Sequence, residues 1–476
     1  MAAIETAREG GVDEAFPRAG TPSHAASSKR GWGGTFSALA ERDYAVYFTG
    51  NLAFFLAMQM DQLMRGLFAL ELTDGAWALG VVSVANAIPM LIVAPFGGVI
   101  ADRYSKKKLL LWTQGFIAAV NVGFTVMIAL DLVEFWHLLL GAFLQGVTFS
   151  VAMPVRNALV PQLIPRHKLM NAVSLQMGGM NLTRIVGPAL AGLLIAPLGL
   201  GPVWGIEATL FIVATLSILP LPSHGMAGRA SSGEAMLSQL AEGFRYIGRA
   251  PLIRVLLLSA LVMPLFAFPV QLVLPVFALK VYDMGSSALG ILMAFAGLGG
   301  LIGALLTASL DGAPHKGRIM LIGALLQGGA FIAFALTPVF PVALVLLAAG
   351  NIGGMLFMTT NNSVIQTRVP EEYRGRVMAV LMMSFGVMPL GVLPMTLAAD
   401  AIGAPAAVVI SSSLMIATLA AFFTSSSNLR TLQVTPGRRA ELSPAQAAAL
   451  VAQGKISEEE AAHLTGMAES PAAGDA

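Results

Sequence analysis

Apolar residues arrive in long, nearly unbroken runs, and the polar residues between them come in short clusters. A run of about 20 apolar residues is long enough to cross a bilayer as a helix. Twelve such runs can be marked, at 46–70, 78–101, 108–130, 135–157, 170–198, 203–221, 255–279, 287–310, 318–338, 340–366, 376–399 and 403–425. The pattern predicts an all-α membrane protein with twelve transmembrane helices.

Between the sixth and seventh runs the stretch 222–253 opens with PSHGMAGRASSGEA and continues as MLSQLAEGFRYIGRAPL. Leu237, Leu240, Phe244 and Ile247 recur there at helical spacing, which predicts an amphipathic helix lying on the membrane surface. A plain linker helix is the alternative. Residues 1–42 are rich in Ala, Gly, Ser and charge and lack the apolar core of a signal peptide, so they read as a disordered cytoplasmic tail. Residues 426–476 read as a second cytoplasmic tail with two short helices. What remains is a six-helix half at 43–221 and another at 254–425.

The halves repeat. NALVPQLIPRHKLMNAV from Asn157 is echoed by NSVIQTRVPEEYRGRVM from Asn362, each with a proline eight residues on, Pro165 and Pro370. An ALG triplet at 78–80 precedes Lys106, and another at 288–290 precedes Lys316 at the same distance. Two related six-helix units in the same orientation form a parallel repeat, which packs about an axis along the membrane normal with a site between the units.

Charge adds orientation. With the N-terminus inside, the inner loops hold Arg103, Lys106, Lys107, Lys108, Arg156, Arg166, Lys168, Arg229, Arg245, Arg249, Arg254, Lys316, Arg318, Arg368, Arg374 and Arg376, and the outer loops hold only Lys280. Lys and Arg stay on the cytoplasmic side, so both termini are expected there, in a multi-pass protein of the bacterial plasma (inner) membrane. Composition agrees: 56% of the 476 residues are hydrophobic and 11% charged, against roughly 25% charged in soluble domains. Net charge is +2, which gives no bulk field for nucleic acid. Cysteine is absent, so thiol chemistry and disulfides are excluded. The six histidines are scattered, and neither a P-loop nor a GxSxG elbow occurs, so an enzyme, a metal site and a cofactor are not expected.

The loop Gly98-Val-Ile-Ala-Asp102-Arg103-Tyr-Ser-Lys106-Lys107-Lys108 resembles the Gly-x-x-x-Asp-Arg-x-Gly-Arg-Lys/Arg loop of the major facilitator superfamily, with Ser105 where glycine is usual. AMPVRNALVPQLIP, RIVGPALAGLLIA and VPEEYRGRVMAV resemble the branch of bacterial enterobactin exporters and macrolide efflux proteins. The resemblance covers roughly residues 40–425 and implies the two-half major facilitator fold. It also implies secondary active transport by alternating access, with an inner gate built on Gly98, Asp102, Arg103 and Lys106. Arg374 and Arg376 are the reachable partners of Asp102, and orientation of the helix alone is the bland alternative. The drug-antiporter arginine before Gln145-Gly146 is missing, the span-5 antiporter motif is partial, and the second-half loop has Asp311 but no Asp-Arg pair.

Ionisable residues inside a span are costly and functional by default. Asp61 and Arg65 lie one turn apart on one face, Asp61 just outward of the midplane and Arg65 near enough to the outer end to snorkel. Arg184 falls mid-span and Glu207 in the outer part of the sixth run. Proton coupling or substrate contact is one reading of these four. A static ion pair of Asp61 with Arg65 or Arg184, and a structural Glu207, is the other. Gln145, Gln271 and Asn351 are candidate cavity residues, against plain interhelical hydrogen bonding. Methionines around Asp61 and in the eleventh run suit varied apolar ligands.

The expected function is proton-coupled efflux, by an antiporter and monomer in contact with membrane lipids, of a lipophilic drug- or siderophore-like molecule. Asp61 as acidic anchor would favour cationic or zwitterionic cargo. An importer or facilitator on the same fold, or a non-transporting receptor or scaffold, are the alternatives.

Overall fold

The computed structural model describes residues 36–222, 242–310 and 313–426, and among them every regular element is helical. The N-terminal group comprises α1 (Arg42–Thr73), α2 (Trp77–Arg103), α3 (Lys106–Ala129), α4 (Phe135–Leu163), α5 (Leu169–Leu198) and α6 (Leu200–Leu216). The C-terminal group comprises α7 (Pro251–Val281), α8 (Gly285–Ser309), α9 (Lys316–Leu336), α10 (Phe340–Arg368), α11 (Glu371–Met383), α12 (Met388–Ile402) and α13 (Ala404–Ser425). Eight helical segments are long and apolar enough to cross a membrane, and Trp77–Met90, α6 and α12 are shorter apolar helices. Residues 1–35 and 427–476 of the expected tails, and 223–241 of the linker, lie outside the described residues; the last part of the first tail is ordered instead, with a 3₁₀ turn at Ser37–Ala40 whose Ala38 is buried against the bundle.

α7 is continuous in space but irregular, with π-helical turns at Met263–Ala267 and Phe277–Val281. Pro264, Pro269 and Pro275 each remove a backbone donor there. A 3₁₀ turn, Ser384–Val387, separates α11 from α12.

Within the N-terminal group α1 packs on α5 and α6, α2 on α4, and α3 on α6. In the C-terminal group α10 packs on α8 and α9, and α13 on α9 and α12. Two seams join the groups, α5 against α8 and α2 against α12. The α5–α8 seam is close because Gly192 faces Gly290. A Cβ on Gly192 would stand 2.7 Å from the Gly290 Cα.

The two ends of the bundle differ. Toward the end carrying Asp74, one apolar core crosses both groups, with Met60, Leu63 and Leu67 of α1 meeting Val270, Leu274 and Phe277 of α7. Polar contacts close the same end. Asp400 of α12 accepts hydrogen bonds from the backbone N–H of Ala76 and of Trp77, both at 2.6 Å, and so caps the start of α2. Lys280 donates to the Asp74 carbonyl at 2.6 Å and pairs with its carboxylate at 2.8 Å. Toward the basic end the described apolar residues form separate clusters, one around Tyr44, Leu110 and Leu159 and the other around Leu256, Met320 and Phe357.

At the basic end Lys106 and Lys316 each open a helix, α3 and α9, and both are buried. Lys107 donates to the carbonyls of Leu219 and Leu221, and Lys108 is the exposed one. The helix 242–249 docks on α11: Glu242 pairs with Arg376 at 2.9 Å, and Tyr246 stacks on Tyr373. Of the predicted apolar positions there, Ile247 is buried and Phe244 is exposed.

Candidate functional site: a buried charge cluster in the N-terminal group

α1 carries Asp61 and Arg65 at i and i+4, a spacing that stacks them on one face. Arg65 Nε donates to both Asp61 oxygens, at 2.6 and 2.7 Å. Gln145 of α4 donates to Asp61 Oδ2 at 2.8 Å, and Asn86 of α2 donates to Gln145 Oε1 at 3.5 Å and to the Ala142 carbonyl at 3.0 Å. Asp61 and Arg65 are 1% and 3% exposed, so neither the snorkelling arginine nor the free acidic anchor of the sequence reading survives. The guanidinium lies 5.4 Å from the Phe124 ring centroid and 5.8 Å from that of Trp204. It passes α4 at Gly141, where a Cβ would stand 2.5 Å from Nη1. Trp204, stacked on Phe124, is held by its Nε1–H donating to Asn121 Oδ1 at 3.2 Å.

One turn along α6 from Trp204 lies Glu207. It is fully buried, within electrostatic reach of Asp61 and Arg65, and neither of its carboxyl oxygens has a hydrogen-bond partner. The structure thus brings together Asp61, Arg65, Glu207 and Gln145. It leaves Arg184 apart.

On α5, Gly179 and Gly187 face α1, while Ile185 and Gly192 face α8. Leu182, Val186 and Leu193 are exposed on one flank between those faces. At 3.6 residues per turn Arg184 falls on the opposite flank, toward the interior between the groups. It is reached by solvent yet surrounded by protein, and it makes no hydrogen bond or ion pair among the described residues. The expected alternative pairing of Asp61 with Arg184 is therefore replaced by Asp61 with Arg65.

Gln271 of α7 donates to Asn351 of α10 at 3.0 Å, and Asn351 donates to the Leu347 carbonyl at 2.8 Å. Both are half-buried, so two of the predicted cavity residues meet each other across helices. In the same group a narrow crevice is lined by Met263, Phe357, Asn361 and Ser384 among others. A second crevice lies beside Gln145 and is otherwise mostly apolar, with Phe54, Met58 and Phe211 in its wall.

The surroundings of Gly98, Asp102 and Arg103 within α2 are not among those described, so the inner gate is represented by its neighbours alone. Arg374 is exposed. Arg376, one of the two proposed partners of Asp102, is engaged by Glu242.

Sequence reading missed Arg156. α4 runs on to Leu163, so this residue is in a helix interior and not in a loop. It is 1% exposed, hydrogen-bonds Asn51, and stands 3.6 Å above the Phe54 ring. With its amide oxygen turned toward Arg156, Gln114 accepts from Nη2 at 2.5 Å and donates to the Ala214 carbonyl at 3.0 Å. Asp400 was missed as well.

The match to a family model, described as transmembrane secretion effector, extends over residues 33–452. The chain belongs to that family of the major facilitator superfamily. This makes it a membrane transport protein and not an enzyme. It is 26% identical over 361 residues to the Staphyloferrin A transporter of Staphylococcus aureus, covering 75% of this chain and 89% of that one. It is 28% identical over 309 residues to the Enterobactin exporter EntS of Salmonella typhimurium, covering 64% and 73%. Among solved structures it is similar to a point variant of the nucleoside transporter NupG, with a TM-score of 0.68 at 12% identity over 80% of this chain and 99% of that one. It is also similar to a bacterial homologue of the lysosomal transporter Spinster, captured inward-facing and unoccupied, with a TM-score of 0.63 at 17% identity over 83% and 100%. These likenesses carry the fold.

Proposed function

We propose that the chain exports an acidic, partly lipophilic, siderophore-like small molecule from the cytoplasm in exchange for protons. It has twelve spans in two six-helix halves, and both termini are cytoplasmic. The observation that carries the cargo class is Arg184. A cation at mid-span is too costly to face lipid, and this one stands on the interior flank of α5 with no carboxylate beside it among the described residues. The acidic groups nearby are already neutralised or buried in the α1–α6 cluster. The cationic cargo suggested by a free Asp61 loses its anchor, and an anion gains one. The similar proteins, a Staphyloferrin A transporter and an Enterobactin exporter, support the siderophore class, and the second supports the direction.

In this reading the Asp74 end is the exterior and is closed, and the basic end is the cytoplasmic mouth. Asp102 closes that mouth in the opposite state, while Arg374 remains its available partner. Asp102→Asn is expected to cut transport with insertion near normal, and a wild-type rate contradicts the gate.

Everted membrane vesicles test the whole reading. Iron-free enterobactin and a quaternary ammonium dye serve as probes. The acid is expected to accumulate when the lumen is made acidic, and the dye is not. Equal movement of the acid without a gradient indicates a facilitator. Transport of the dye alone contradicts the cargo class.

A further inference from the structure

Two carboxylates and one guanidinium share the interior of the α1, α3, α4 and α6 bundle, and their hydrogen bonds are divided unequally. Asp61 takes three, two from Arg65 Nε and one from Gln145. Glu207 takes none, although it is fully buried. Arg65 Nη1 and Nη2 also have no acceptor. The cluster is therefore short of one positive charge if both carboxyls are ionised, and it holds two unused donors on the cation between them.

Among the described residues no other charge makes up the deficit. α3 contributes Asn121, whose oxygen is taken by Trp204 and whose amide nitrogen donates to the Ile117 carbonyl. α4 contributes Gly141 and the neutral Gln145, and α6 contributes Trp204. Arg184 of α5 faces the interior between the groups. Arg156 bonds Asn51, ten residues before Asp61 on α1 and so about 15 Å away along the helix. An uncompensated buried carboxylate costs several kcal/mol, and a single proton removes the deficit.

We propose that Glu207 is the proton seat of the transporter. It holds one proton while Arg65 is bound to Asp61, and loses it when Arg65 turns its free Nη groups to Glu207. The exchange is balanced. The Glu207 O–H bond breaks and the proton bonds to the Asp61 oxygen that Arg65 has left; one proton and one guanidinium serve the two carboxylates until the proton leaves Asp61 for water when cargo binds. Asp61 opens toward the crevice through half-buried Gln145, which Asn86 ties to α2. Because α2 packs on α12 across the seam, motion of the seam displaces the group that holds Asp61 in its present pairing. Sequence position alone left Glu207 between a coupling and a structural role, whereas the unequal sharing of donors marks it as the carrier. The inference deepens the proton-coupling reading and names its seat.

The test does not depend on cargo or on transport direction, so its failure is distinguishable from failure of the export reading. Purified protein in nanodiscs is measured by infrared spectroscopy at neutral pH in light and heavy water, where a buried protonated carboxyl gives an isotope-sensitive C=O band. The wild type is expected to show the band and Glu207→Gln to lose it. A band that persists in Glu207→Gln, or its absence from the wild type, overturns the proposal. If Glu207→Gln does not fold, Asp61→Asn decides. There Arg65 has Glu207 as its only carboxylate partner, so the band is expected to vanish, and its persistence overturns the proposal.

Discussion

The N-terminal and C-terminal groups solve the same packing problem with different chemistry. Among the described residues the N-terminal group buries Asp61, Arg65, Arg156 and Glu207 well inside its helices. The C-terminal group buries one ionisable side chain, Lys316, at the first residue of α9. Its interior polarity is made of amides and hydroxyls such as Asn351, Gln271, Gln327 and Asn361. It also carries the irregular backbone, the π-helical turns of α7 and the 3₁₀ turn between α11 and α12. Charge that must be kept dry needs a fixed frame, and the regular α1, α3, α4 and α6 provide one. Neutral amides exchange partners at little cost, so they tolerate a wall that bends. Under the proposed function, ion coupling belongs to the first group, and cargo is held between Arg184 of that group and the neutral amides of the second.

The most damaging way to break the contrast is Arg65→Ala. It leaves Asp61 and Glu207 buried without their cation, which is expected to cost about 3–5 kcal/mol. Thermal unfolding in detergent is expected to show a large loss, with partial recovery in Arg65→Lys. That variant keeps the charge but not the hydrogen-bonding fork.

Asp400→Ala acts on the contact between the groups. It removes the cap on α2 and is expected to weaken closure of the Asp74 end by about 1 kcal/mol, roughly a fivefold shift toward opening. The chain has no cysteine. A single cysteine introduced near residue 76 can therefore be labelled alone, and its modification rate from the Asp74 end is expected to rise by that factor.

Asn351→Ala sharpens the contrast from the other side. The Gln271 hydrogen bond is worth about 0.6 kcal/mol on average for such interhelical pairs. Stability is expected to change little, while the apparent affinity for cargo falls and the dependence on the pH gradient remains.

The smallest effect is expected at the exposed Asp74–Lys280 pair. The ammonium of Lys280 holds the Asp74 carboxyl below its ordinary range. A carboxylate lowered in the closed state stabilises closure above its unpaired pKa, and that contribution is lost as pH falls through the lowered value. Neutral and mildly acidic solution therefore leave the contact intact, and only stronger acid releases it. In Lys280→Ala this acid sensitivity of labelling is expected to disappear, and salt is expected to mimic the variant.

The sequence carried the helical class and the pairing of Asp61 with Arg65, because both depend on local spacing. It could not join Glu207 to them, since that contact depends on how α6 is rotated against α1. Arg156 fell one residue before the end of the run marked at 135–157 and was counted with the inner loop, whereas α4 continues to Leu163 with the guanidinium held over Phe54. Asp400 fell inside no motif. Its role follows from α12 ending beside the unpaired N–H groups of α2, a tertiary coincidence with no local signal. Arg184 was legible as a mid-span charge, but its flank required the positions of α1 and α8.

The measurement that bears most directly on the division between the groups is proton release on cargo binding, followed with an indicator dye in weakly buffered detergent solution containing iron-free enterobactin. The account predicts that Asp61→Asn binds cargo without releasing protons. It predicts that Asn351→Ala binds more weakly but releases the wild-type number of protons per cargo bound. Unchanged release in Asp61→Asn, or release abolished in Asn351→Ala at saturating cargo, would contradict it.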